Sequence, residues 1–194
     1  IRLIEPMILS EPSYRFMAFD SILGWIAYQR TPDPAVIESL PLSKLTGANG
    51  QWIYHASTWR SVGPIHLDTV NVHRRLTEEF CDAWGVPKQN TESGHYRNMA
   101  IAHQRVLTSA ARFYVHGDRL AITDLLQDLQ HLGQKRSLNA GRILGPPEVI
   151  PWHEDWSIAQ DNIVTRPIPV ALQTPYRGIL ASVAARPPYW AGAH

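Results

Sequence analysis

The sequence predicts an α+β domain of order βαββαβ, the ferredoxin-like (RRM-like) arrangement, with a central insertion and a Pro-rich extended C-terminal tail. Three observations predict it. Segments 16–29 and 119–132 carry apolar residues at helical spacing. Segments 1–9, 105–116 and 142–150 are β-branched or alternate apolar with polar residues, as strands do. Eight of the 15 prolines and three of the seven tryptophans fall from position 146 onward, which marks extended segments packed by aromatics and no second core. The expected division is a domain over 1–150 with an insertion at about 31–98, and a tail over 151–194 lying on that domain.

Taken in order, 1-IRLIEPMIL-9 is apolar and β-branched and is closed by Ser10-Glu11-Pro12. Phe16, Phe19, Leu23 and Ile26 then line one face of a helix that stops before 31-TPDP-34. Within the insertion, 51-QWIYHASTW-59 reads as strand. A helical piece, 74-RRLTEEFCDAW-84, is stopped by Gly85 and Pro87. Along 105–116, Leu107, Ala111, Phe113 and Val115 alternate with Thr108, Arg112 and Tyr114. Asp118 can cap the next helix, whose stripe is Ile122, Leu125, Leu126, Leu129 and Leu132, with Gly133 where a C′ glycine belongs. The last strand, 142-RIL-144 and 148-EVI-150, is broken by Gly145-Pro146-Pro147. Phe16, Phe19, Trp25 and the leucine stripe are the expected core. Trp152, Trp156, Tyr189 and Trp190 serve either tail packing or a partner interface.

Composition narrows the function classes. With 194 residues, 44% of them hydrophobic, the chain can bury a core. A single cysteine, Cys81, excludes an internal disulfide and the multi-cysteine zinc motifs, and the histidines lack HExxH spacing. No apolar run can span a bilayer and the first residues lack signal-peptide order, so a cytoplasmic protein with no membrane association and no cofactor is expected. Of 18 cations only Lys44, Lys88 and Lys135 are lysine; the arginine bias suits phosphate and base edges, and a GC-rich genome produces it equally. Placement says more. Residues 131–145 hold Lys135, Arg136 and Arg142 with no acid, whereas residues 1–40 hold three cations against five acids.

That local positive potential sits in 133-GQKRSLNAG-141. A P-loop precedes its helix, so that phosphate meets N–H groups at the positive end of the dipole; this loop follows one, near the negative end. Anion binding would therefore come from the side chains of Lys135, Arg136 and Arg142. Ser137 and Asn139 would be neutral donors, and Gly133 and Gly141 would allow close backbone approach. This suits a phosphodiester chain better than a nucleoside triphosphate. Ordinary punctuation between a helix and a strand is the competing reading of the same residues.

The stretch 132-LGQKRSLNAGRI-143 resembles the glycine-rich loop of the CRISPR-associated RAMP superfamily, matching at Leu132, Gly133, Lys135, Arg136, Ser137, Gly141 and Arg142. It departs at Asn139, where that loop usually carries glycine; asparagine tolerates the left-handed backbone such a turn needs. Segments 19-FDSILGWIAY-28, 93-SGHYRN-98 and 166-RPIPV-170 are similar to one branch of it. That branch is the five-prime-handle-binding (Cas-five-like) subunit of type IV CRISPR effector complexes. The resemblance implies a non-catalytic subunit of a ribonucleoprotein in antiviral defence, one that caps the 5′ handle of the guide (cr)RNA. It further implies contact with the backbone (Cas-seven-like) subunit and a position beside the large subunit, where target double-stranded DNA enters near the protospacer-adjacent motif. Carried over by position, the RNA-binding loop is Gly133 to Arg142.

Two further basic groups fall in the insertion: His66 and His73 with Arg74 and Arg75, and His95 with Tyr96 and Arg97. They read either as RNA or DNA contacts, with Tyr96 stacking on a base, or as solvated loop. The alternative function is a metal-independent RAMP endoribonuclease processing CRISPR repeat RNA. Its general base on the ribose 2′-OH would be His103, His116 or His131. Asp20 and Ser21 read as exposed helical polar residues.

Overall fold

In the computed structural model, residues 1–9, 17–74, 99–134, 136–172 and 174–178 are described. They form a mixed α/β fold of small antiparallel sheets and few helices. Strands β1 (Met7–Ile8), β6 (Met99–Leu107) and β5 (His66–Arg74) make one three-stranded sheet in the order β1-β6-β5. Three two-stranded ladders accompany it. They are β2 (Lys44–Thr46) with β3 (Trp52–Tyr54), β4 (Arg60–Val62) with β7 (Ala110–Arg112), and β8 (Ala159–Gln160) with β9 (Ile163–Val164).

Single antiparallel ladder pairs stitch these pieces together. Arg2 pairs with Ala110 and Leu3 with Ile143, so the N-terminal segment runs between 142–143 and the β6–β7 region. On the far side of β7, Ala56 pairs with Val115, continuing the β4 ladder. The expected first and last strands are thereby reduced: Pro6 interrupts one, and Gly145-Pro146-Pro147 ends the other after Arg142 and Ile143, since proline supplies no ladder donor. Residues 148–150 are not strand. The expected strand over 105–116 is broken at Thr108–Ser109 into β6 and β7.

Helix α1 (Phe19–Arg30) presents Phe19, Ile22, Leu23 and Ile26 to the core, joined there by Met7, Val106 and Ala111 from the strands. Phe16, also read as core, lies outside the described residues, as does the expected helical piece beyond Arg74. Helix α2 (Arg119–Leu126) begins as read: Asp118 caps it by accepting from the N–H groups of Leu120 and Ala121 at 2.8 and 3.2 Å. Arg30 ties the two helices, donating to Asp128 at 2.6 Å and to Asp124.

Within the expected insertion, Ile37, Leu40, Leu42, Ile53, Tyr54 and Ala56 are buried. Its strand β5 pairs with β6 over nine residues. Tyr114, read as the outward side of its strand, is buried under the tail: its ring lies 4.9 Å from Trp156 and 5.7 Å from Trp152. Trp156 packs the tail against Tyr114, Trp152 touches the same ring but stays 48% exposed, and Tyr189 and Trp190 lie outside the described residues.

Candidate nucleic-acid interface

The loop after α2 is built differently from a helix stop. The helix ends at Leu126, and residues 127–132 turn and run extended before Gly133. Leu132 N–H donates to Gly141 O at 2.8 Å and Ile143 N–H to Gln130 O at 3.0 Å, so these backbone bonds outcompete the helix that the leucine spacing predicts. Leu129 and Leu132 still reach the core, from a turn and an extended segment. With the helix end six residues away, its dipole has little hold on the loop.

The loop is pinned at both ends to its own protein. Gln134 N–H donates to Ile8 O and Gly141 N–H to Pro6 O, each at 2.8 Å. Gly133 has φ +88° and a Cβ there would meet Ile8 O at 2.8 Å; at Gly141, φ +66°, a Cβ would lie 1.8 Å from Leu132 O. The close approach these glycines permit is therefore to the first strand and to the loop's own backbone. Asn139 adopts φ 61°, the left-handed conformation expected of it, with its amide oxygen 3.3 Å from His131 Nε2.

Between the pins, Arg136–Leu138 form one 3-10 turn, and Arg136, Ser137, Asn139 and Arg142 are exposed. The arginines differ in their surroundings. Arg142 faces Glu5 across 3.8 Å, a loose, half-exposed pair. The Arg136 guanidinium lies over the Trp25 ring, 3.6 Å from its centroid. Desolvation there pulls Arg136 below its ordinary value. Trp25, expected in the core, packs against it but is only half-buried, with a cation over its ring. The only hint in the sequence was an aromatic off the buried Phe19–Leu23–Ile26 face. A cleft of about 220 Å³ opens beside this stack, between α1 and residues 129–136. Lys135, Arg75, Tyr96 and Arg97 lie outside the described residues, and Arg74 ends β5, opposite Met99.

The stretches 19–28 and 166–170, distant in sequence, meet. Asp20, read as an exposed helical residue, is fully buried and accepts from Arg166 Nη2 at 3.1 Å, with both side chains at 0% exposure. Arg166 also donates to Tyr54 O and, at 3.1 Å, to Ala56 O. Ser21 lies on the cleft, its hydroxyl donating to Ala18 O at 2.6 Å.

A second polar cluster forms where the tail crosses the strands. His55 Nδ1 lies 3.0 Å from Ser157 Oγ and 3.2 Å from Asp155 Oδ2, and the His116 ring stands 5.8 Å away, edge-on. Burial, with the neighbouring His116, pushes His55 below its ordinary value despite Asp155. Burial would raise Asp155, but two hydrogen bonds from Ser157 and the nearby histidines outweigh it and hold the carboxyl low. His103 sits within β6 opposite Val70, while His116 and His131 flank single ladder pairs or form them. Among the described residues no three His, Cys, Asp or Glu side chains are grouped to hold a metal ion, and no helix is long and apolar enough to cross a membrane.

No curated protein matches the chain. The family described as CRISPR type IV associated protein Csf3 matches residues 2–194, taking in the loop, the buried Asp20–Arg166 junction and the tail alike. This is the type IV branch that the four sequence stretches resemble, and the chain belongs to the CRISPR type IV associated protein Csf3 family.

Proposed function

We propose that the chain is a non-catalytic RNA-binding subunit of a type IV CRISPR effector, capping the 5′ handle of the guide RNA through the loop Gly133 to Arg142. One observation carries the reading: a turn with no acid between residues 131 and 145 is pinned at both ends, holding the exposed Arg136, Ser137, Asn139 and Arg142 ready. Pinning lowers the ordering cost of binding a flexible strand, and arginine neutralises its phosphates. The frame we assign is ferredoxin-like. Its support is the antiparallel succession of segments 142–143, 1–8, 105–112 and 56–62, the 4-1-3-2 order of a βαββαβ sheet. In this reading the chain also meets the backbone subunit and lies beside the large subunit near the incoming target duplex, with the β5–β6 pair as the element that reaches a neighbouring subunit.

The test is binding of labelled handle-sequence RNA by the full chain across a salt series. Replacing Lys135 and Arg142 by alanine should lower the log–log slope by roughly 1.4, about 0.7 for each single-strand phosphate no longer neutralised. An unchanged slope, with RNA still retained in an assembled complex, removes the loop from the function.

A second reading, a metal-independent endoribonuclease, is favoured by the His55–His116 pair, because Asp155 and Ser157 hold His55 Nδ1 and so orient the ring as a base. Cleavage of repeat RNA that persists in EDTA and is lost in His55→Ala would favour it over the first.

A further inference from the structure

We infer that Arg136 and Trp25 form a stacking step for one unpaired nucleobase of the bound RNA, with the cleft beside them receiving that base. This rests on the RNA-binding reading above and assigns Arg136 a task different from phosphate neutralisation.

The geometry carries it. A guanidinium that meets phosphate works best presented edge-on, its N–H groups forked toward two oxygens. Arg136 Cζ instead lies over an indole, 3.6 Å from its ring centroid, so Trp25 covers one side of the guanidinium while the residue stays exposed to a ligand on the other. Planar stacking of guanidinium on aromatic rings and on bases is a property lysine lacks. Desolvation of Arg136 against Trp25 has already removed part of its hydration, which reduces what a stacked base must displace. The adjoining cleft has apolar walls from Leu9, Ile22, Leu129 and Leu132, with Ser21 and His131 as polar groups on its lining. Its volume of about 220 Å³ falls below the ~300–1,000 Å³ of sites for drug-sized ligands, and suits a single ring system.

Trp25 is accordingly a positioning residue: it holds the guanidinium against the cleft. The two roles for Arg136 separate experimentally, because lysine keeps the charge and loses the plane. Full-length chain is titrated with labelled handle-sequence RNA, and with versions of that RNA made abasic at each position in turn. Arg136→Lys and Trp25→Leu should each weaken binding on the order of tenfold, the scale of one missing base stack, without changing the salt slope. One abasic position should cost the wild type a similar factor and cost Arg136→Lys nothing further. Trp25→Phe, which keeps a ring beneath the cation, should recover most of the affinity and controls for folding of Trp25→Leu. Arg136→Lys binding within twofold of wild type, or abasic penalties identical in both proteins, would overturn the inference while leaving the loop's phosphate contacts standing. Loss of the salt dependence in Lys135→Ala/Arg142→Ala is read separately and concerns only the parent reading.

Discussion

Gly141 illustrates how one atom can decide a loop. At φ +66° any side chain is strained by ~1–2 kcal/mol, and a Cβ placed 1.8 Å from Leu132 O would force the 132–141 ladder apart as well. Gly145 has nearly the same φ, +69°, but nothing within 4 Å of its Cβ position. Gly141→Ala should therefore destabilise by at least ~3 kcal/mol and Gly145→Ala by only ~1 kcal/mol, a difference readable by urea denaturation. Equal effects would show that the backbone approach at Gly141 is easily relieved. The glycines were legible in the sequence as points of close approach, but what approaches them was not. The partner carbonyls belong to Leu132 and to Ile8, and the second is 125 residues away in the chain.

At the scale of elements, the junction of α1 with the tail matters most. Asp20 lies in the first turn of α1 and Arg166 in the tail, and the pair has no water to fall back on. Removing one partner of a buried pair leaves the other charge uncompensated, at a cost of ~3–5 kcal/mol. Asp20→Asn or Arg166→Met alone should lower the melting temperature by roughly 10 °C, given ~2–4 °C per kcal/mol for a chain this size. Asp20→Leu combined with Arg166→Met should recover much of the loss. A single substitution costing under ~1 kcal/mol would mean the pair is not what holds the tail. Helical spacing identified the buried face of α1 from Phe19, Leu23 and Ile26, because local periodicity reports which side faces away from water. It could not report that Asp20 joins that side, since a carboxylate is buried only when a distant cation arrives.

For the whole molecule, three titratable groups, the half-buried His55, its partner Asp155 and the buried Tyr54, bound the pH range of stability. His55 has its folded value lowered, so its contribution is complete above the unfolded value near 6.5 and is lost as pH falls through the folded one. Asp155, also lowered, adds to the same acid limb further down. Tyr54 is pushed up to about 12 by burial, its hydroxyl donating to Ile37 O at 2.9 Å. That contribution is complete below about 10 and fades as pH rises through the folded value. Stability should accordingly plateau between roughly pH 6.5 and 10, with His55→Gln flattening the acid limb and Tyr54→Phe the alkaline one. Melting curves collected from about pH 5 to 11 check both limbs, and unaltered limbs in the variants would reassign them to other groups.

The sequence by itself determined the α+β class, α1 and its buried face, the Asp118 cap, the acid-free basic loop and the left-handed Asn139. Each depends on residues a few positions apart, where spacing and backbone preference act directly. Tertiary structure alone decided where α2 stops, because ladder bonds to Gly141 and Gln130 override the continuing leucine spacing. It alone paired Asp20 with Arg166, set His55 beside His116 and the tail's Asp155 and Ser157, and laid Arg136 over Trp25. Those are contacts between segments far apart in the chain, and pattern along the chain carries no information on which distant surfaces will meet.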